Sequence, residues 1–431
     1  MKCRLALLLA ALTMAMAVTA ALGESRDRVT SQYPHVGPYP SQDTQDTSHY
    51  PYVRSYRSEA RPSRSRAARR AVERRAVERS MVARSAVDPG ETANVLADLR
   101  HVVSPQGIDR AQKVRIGGID QWVTIRGKDR RNPILLVLHG GPGYVLGPMS
   151  WWFQPGWEDY FTVVEWDQRG AGKTFLINNS TKLAPTMTRE RMVADGAEMV
   201  AWLQKEFSKK KIFLLGHSWG SYMGLALARL RPQWFYAYIG TGQITDGPES
   251  ERRGWRFAMD AARKRGNRQA IDELQAIAPY GEKGKPIPLK DLYVQRKWVG
   301  AFGGVMAYRS GNGVETKAAS ISPDYSADER RHLWDGNHFS QGFLLEDVIK
   351  TNMSSITSLD CPLILLEGRH DYNVNSQLAA DWFAKVQAPS KQFVWFEQSG
   401  HEAMNEEPGK FLVSLVRYAR PFAEKAGDAA P

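Results

Sequence analysis

Ser218, Asp371 and His401 have the types, chain order and settings for nucleophilic chemistry. A serine hydroxyl attacks poorly until an imidazole takes its proton, and the imidazole needs an acid to orient it. Ser218 sits in Gly216-His217-Ser218-Trp219-Gly220, after the apolar run 211–215 and before a helix-like run, 221–228. Two glycines around a serine at a strand-to-helix turn let the backbone fold sharply and lift the hydroxyl above a sheet. Asp371 follows the apolar run 363–366, and His401 follows the run 392–396. Both therefore fall in loops at strand C-terminal ends, where open α/β sheets place their chemistry.

Such a serine also needs N–H groups to hold the oxygen that gains charge during attack. The residue after it, Trp219, supplies one. His139-Gly140-Gly141-Pro142-Gly143 directly follows the run 133–138, and its bare backbone can approach a substrate oxygen. Gly141 is the expected second donor. His370 beside Asp371 reads as a flanking loop residue, and His139 and His217 as packing groups within the motif turns.

The elements that must carry these residues are legible in the periodicity. Residues 112–116 and 121–126 alternate apolar and polar like antiparallel strands around a Gly117-Gly118 turn. Short apolar runs at 133–138, 161–166, 211–215, 235–239, 363–366 and 392–396 suit strands covered on both faces. Between them, 189–207 places Met192, Val193, Met199, Val200, Leu203 and Phe207 on one helical face behind Thr188 as N-cap. Strands alternating with helices predict a mostly parallel sheet wound on both faces. The expected fold is the α/β-hydrolase fold. Its core spans 95–241 and 354–425, and a helical cap at 242–353 interrupts it.

Together, His139-Gly-Gly-Pro-Gly143, Asp167-Gln-Arg-Gly-Ala-Gly172, Gly216-His-Ser-Trp-Gly-Ser221, Gly368-Arg-His-Asp371 and Ser399-Gly-His401 resemble the proline iminopeptidase family of α/β-hydrolases. The resemblance covers roughly residues 110–420. It implies a serine aminopeptidase without cofactor, in which cap carboxylates hold the free amino terminus of a small peptide. Asp246, Glu249 and Glu251 at the start of the cap are candidates for that role. They are equally explained as the acid-rich N-terminus of a helix. The family often has glycine where this chain has His217, a substitution shared with esterases, so a carboxylesterase acting on small esters is the alternative. A third reading is a non-enzymatic binding protein on the same fold.

The remaining sequence mostly excludes. Gly170-Ala-Gly-Lys-Thr174 resembles the end of a phosphate-binding loop, but Asp167 stands where the leading glycine belongs. No Cys/His cluster has the spacing of a metal site. Residues 1–23 begin with Lys2 and Arg4, continue uncharged from Leu5 to Leu22, and read as a secretory signal peptide, making the protein secreted or periplasmic. An uncleaved membrane anchor is the alternative, since the run approaches the ~20 residues that span a bilayer. Residues 24–94 lack apolar periodicity and are expected to form a disordered, arginine-rich linker. Its stretch 54–84 holds eleven arginines against three glutamates and accounts for much of the formal charge of +12. It reads as a solvated spacer with at most weak contact to anionic surfaces, and nucleic acid is not favoured as a partner.

Overall fold

A computed structural model describes residues 88–431 except 284 and 312. The expected signal peptide and most of the expected linker lie outside the described residues. The last linker residues do not: helix α1 (Pro89–Arg100) begins inside the stretch expected to be disordered. Asp88 caps it by accepting from the Gly90 N–H, and Pro89 occupies its first turn, where a missing N–H costs nothing. Arg100 at its end is buried and pairs with Glu158 at 3.2 Å and Asp324 at 2.6 Å. Only Ala93 and Arg100 of this helix are buried, so it shows little apolar stripe for a sequence reading to detect.

The sheet has eight strands: β1 (Ile108–Ile116), β2 (Ile119–Gly127), β3 (Ile134–Leu138), β4 (Thr162–Asp167), β5 (Ile212–His217), β6 (Phe235–Thr241), β7 (Leu363–Gly368) and β8 (Lys391–Phe396). Their order is β1-β2-β4-β3-β5-β6-β7-β8. The β1–β2 hairpin and the β2–β4 pair are antiparallel, and every other neighbouring pair is parallel. Each expected strand is present, most extended by one to four residues at an end.

Alternation along the central strands divides the core into two layers. Ile134, Leu136 and Leu138 of β3 join Ile212 and Leu214 of β5 on one face. There they meet Met192, Met199 and Leu203 of α2 (Arg189–Glu206) and Met223 and Leu227 of α3 (Trp219–Leu230). Leu135, Val137, Phe213 and Leu215 point the other way, toward Phe153, Trp157 and Phe411. Burial on both faces explains why these runs read as continuously apolar. Thr188 caps α2 through the Arg191 N–H, as its position before the apolar stripe predicts.

Between β6 and β7 the chain is helical. Its longer helices are α4 (Gly247–Lys264), α5 (Arg268–Ala276), α6 (Leu289–Ala301), α7 (Gly313–Ser320) and α8 (Asp335–Lys350). Ala258, Met259 and Ala262 of α4 pack with Leu274 of α5 and Trp298 and Val299 of α6 in an apolar cluster of their own. Beyond β7, α9 (Ser376–Lys385) and α10 (Pro408–Ser414) complete the described helices that bear on the site. The ordered chain continues past the expected end at 425, where Asp428 accepts from the Tyr236 hydroxyl at 3.0 Å. No helix among the described residues is long and apolar enough to cross a membrane.

Candidate active site

Ser218 occupies a backbone conformation that its side chain disfavours, with φ 53° and ψ −119° at the junction of β5 and α3. The flanking glycines permit it. A Cβ on Gly216 would lie 2.5 Å from the Gly220 carbonyl oxygen, and one on Gly220 would overlap the Leu138 carbonyl. The turn is held from outside as well: the Ser218 N–H donates to Thr241 O at 3.0 Å, tying the elbow to the end of β6. Strain of this kind persists only where the surroundings over-determine it.

Nδ1 of His401 lies 2.7 Å from Oδ2 of Asp371. The other carboxylate oxygen of Asp371 accepts the Asn373 and Val374 N–H groups at 2.9 and 2.8 Å, which fixes the acid from behind. Both side chains are buried. The corner at Gly242 brings the pair to the serine's end of the sheet: a Cβ there would lie 2.7 Å from Cε1 of His401 and 3.6 Å from Oδ2 of Asp371. Three loops distant in sequence thus meet beside Thr241, the residue that holds the Ser218 N–H.

The glycine loop reaches the elbow from the other side. A Cβ on Gly140 would lie 3.1 Å from Cβ of Ser218. Gln168, in the loop after β4, binds both partners. Its amide N–H donates to Nε2 of His139 at 3.2 Å, and its side-chain oxygen accepts from the Trp219 indole at 3.2 Å. His139 in turn donates from Nδ1 to Gly140 O at 2.9 Å, so its two ring nitrogens have fixed roles. Burial lowers the His139 pKa to about 4 and keeps it neutral for that task. Gly141 follows with φ 113°, and Trp219 opens α3, where first-turn N–H groups have no partner within the helix.

His217 also has a definite task. Its Nε2 lies 3.1 Å from the backbone oxygen of His401 and donates to it, and the two rings lie 4.8 Å apart. Burial, reinforced by His401, lowers its pKa to about 3. The fragment that resembles a phosphate-binding loop serves the fold instead: Asp167 accepts the Lys173 N–H at 2.7 Å and the Tyr325 hydroxyl, and Lys173 Nζ donates to Asp324 O.

The three cap acids expected for an ammonium group each have partners within the cap. Asp246 caps α4 through the Glu249 N–H at 3.0 Å. Glu249 is shared by Arg252, Arg253 and Arg256, which hold its pKa down near 2 against the opposing effect of burial. Glu251 is buried against Arg296 and the Tyr280 hydroxyl. A different acid cluster adjoins His401. Glu402 follows it in sequence, and Glu315 arrives from α7, both fully enclosed. Glu315 accepts from Asn405 Nδ2 at 2.9 Å and from the Tyr144 hydroxyl at 3.2 Å. Oε2 of Glu402 meets no N–H or hydroxyl donor among the described residues and lies 3.7 Å from Nε2 of His217, while the carboxyl groups of Glu402 and Glu315 bond to each other. Burial raises the pKa of both acids, and the nearness of Glu315 and Glu406 pushes Glu402 higher still. Sequence reasoning missed this cluster because Glu315 lies far from any motif. The position of Glu402 beside His401 was the one available signal. His217, His401 and Glu402 are ligand-type residues lying close together, but His401 is already committed to Asp371.

Residues 133–408 match the family described as alpha/beta hydrolase fold. The chain belongs to that family. Within it, this hydrolase is similar to a probable aminopeptidase, YbaC, of Bacillus subtilis (strain 168), with 29% identity over 313 residues, 72% of this chain and 96% of the relative. A probable proline iminopeptidase of Streptomyces coelicolor is 25% identical over 304 residues, 66% of this chain and 87% of its own. The crystal structure of a proline iminopeptidase-related protein from Thermus thermophilus superposes with a TM-score of 0.52 at 19% identity, covering 73% of the hydrolase and 99% of that chain. That likeness concerns the fold.

Proposed function

We propose that the hydrolase is a serine aminopeptidase that releases N-terminal residues from short peptides. The observation that carries the peptidase reading is the enclosed Glu315–Glu402 pair beside His401, two carboxyl groups in hydrogen-bonding contact with each other. Two acids packed together in low dielectric hold a proton between them unless a cation enters. A substrate ammonium would supply that cation, let both acids ionise and place the adjoining carbonyl beside Ser218. The aminopeptidase relatives support the same choice.

In this mechanism His401 takes the Ser218 hydroxyl proton as the oxygen attacks the scissile carbonyl carbon. Asp371 orients the imidazole and stabilises the imidazolium that forms. The N–H groups of Gly141 and Trp219 take the charge that develops on the carbonyl oxygen. Collapse breaks the C–N bond, the leaving amine receives the proton from His401, and an acyl ester remains on Ser218. Water, deprotonated by His401, then attacks the ester, and the hydroxyl returns to Ser218.

Aminoacyl-anilides, the prolyl one included, assayed beside p-nitrophenyl esters test the proposal. Turnover of anilides that disappears in Ser218→Ala is expected. Ester hydrolysis with no anilide turnover would replace it with the carboxylesterase reading. Export belongs to the same proposal, and amino-terminal sequencing of the mature protein checks it, with cleavage after Gly23 expected.

A further inference from the structure

Resting on the proposed roles of Ser218 and His401, we infer that Glu406 is a positioning residue for the base, its carboxylate clasping a cap loop to the loop that carries His401. Oε2 of Glu406 accepts the Gly400 N–H at 2.7 Å, and Oε1 accepts the Ala307 N–H at 2.6 Å. Gly400 immediately precedes His401, while Ala307 belongs to the cap segment after α6. One half-buried carboxylate therefore joins the two loops.

The cap segment it grips is bonded to both the acid and the base loops. Val305 O accepts the His401 N–H at 2.6 Å, and Gly304 O accepts the Tyr372 and Asn373 N–H groups at 2.9 and 3.1 Å. The two loops touch so closely that a Cβ on Gly400 would overlap the Val305 carbonyl. Asp371 fixes the His401 ring, His217 and Val305 fix its backbone, and Glu406 keeps Val305 where it is needed. Neighbouring Glu407 adds to the grip by accepting from the Gln398 N–H at 3.0 Å and the Ser399 hydroxyl at 2.7 Å.

The clasp needs the ionised carboxylate, because a proton on either oxygen competes with one of the two N–H donors. Burial raises the Glu406 pKa to about 7, with Asp371 adding to the rise and the two N–H groups and Arg309 opposing it. Glu402 also lies within its field. Acidification therefore loosens the connection between cap and base loop.

The test is the rate of fluorophosphonate labelling of Ser218 in the full chain, measured from about pH 5 to about pH 9 beside melting temperatures. Glu406→Gln keeps one acceptor and Glu406→Ala keeps none. The expected result is a graded loss of labelling rate per folded molecule, on the order of 10-fold to 10²-fold, the scale for a misplaced catalytic group. With anilide substrate kcat should fall while KM changes little. The acid-side decline below about pH 7 that belongs to Glu406 should be absent in the glutamine variant. Wild-type rates in both variants, or losses that only track the folded fraction, would overturn the inference. Failure of the wild-type protein to label at Ser218 would instead overturn the reading of the site beneath it.

Discussion

Asp371 and His401 meet at 2.7 Å through Oδ2 and Nδ1, although thirty positions separate them in the chain. The acid is also held independently of the histidine, because two backbone N–H groups donate to its other oxygen. Asp371→Asn should keep the fold and lose the tautomer control, lowering kcat by on the order of 10⁴-fold. Anilide kinetics with a parallel thermal melt check this. A variant within a few-fold of wild type would remove Asp371 from the mechanism.

The elbow makes a prediction opposite in sign to helix propensity. Gly220 lies in the first turn of α3, where alanine would ordinarily stabilise a helix by up to about 1 kcal/mol. Here its methyl would overlap the Leu138 carbonyl oxygen. Gly220→Ala should destabilise by about 1–3 kcal/mol, as overpacked sites do, and abolish labelling of Ser218. Denaturant unfolding measures the first effect and fluorophosphonate labelling the second.

The proposed aminopeptidase reading divides the acids into two groups. Glu315→Gln and Glu402→Gln should each raise KM for aminoacyl-anilides by roughly 10-fold to 10²-fold, the worth of a hydrogen bond to a charged group. Ester turnover should change far less. Glu249→Gln should leave KM where it was, because that carboxylate serves three arginines of its own helix. Steady-state kinetics on both substrate types decide the matter, and equal effects across all three variants would reject the division.

Acid stability reports on His217. Its pKa falls from 6.5 unfolded to about 3 folded, through burial and the neighbouring His401. Below pH 6.5 the unfolded chain therefore binds the extra proton, and the stability this neutral histidine contributes is lost as pH falls. Buried Asp167 and Glu165, raised to about 6 and about 8 chiefly by burial, act with the opposite slope, so the wild-type profile alone is ambiguous. The difference between wild type and His217→Gln isolates the effect. It should shrink as pH drops below 6.5, by at most about 1.4 kcal/mol per unit. Urea melts at several pH values measure it, and a gap independent of pH would contradict the assignment.

Much of the fold was legible because its signals are local. Continuous apolar runs in β3, β5 and β7 reflect burial on both faces, and alternation in β1 and β2 reflects an edge hairpin. Helix α1 was missed because its few buried positions include the buried ion-pairing residue Arg100. Within the expected helical cap the two helices pack differently: Trp298 and Val299 of α6 join α4 and α5, whereas Ala318 and Ala319 of α7 join the core layer of Phe153 and Trp157.

For the site, the sequence by itself determined the elbow, the glycine loop and the order Ser218, Asp371, His401. Each depends on residues only a few positions apart, and strand and turn chemistry act over that range. Tertiary structure decided which groups each acid meets. Asp246, Glu249 and Glu251 look available in a string of letters, yet each finds a donor once α4 folds and packs. Glu315 acquires its place beside Glu402 only when α7 closes against the core, about ninety positions away in the chain. A carboxylate's partners depend on what surrounds it in space, and burial of that kind leaves no periodic trace in sequence.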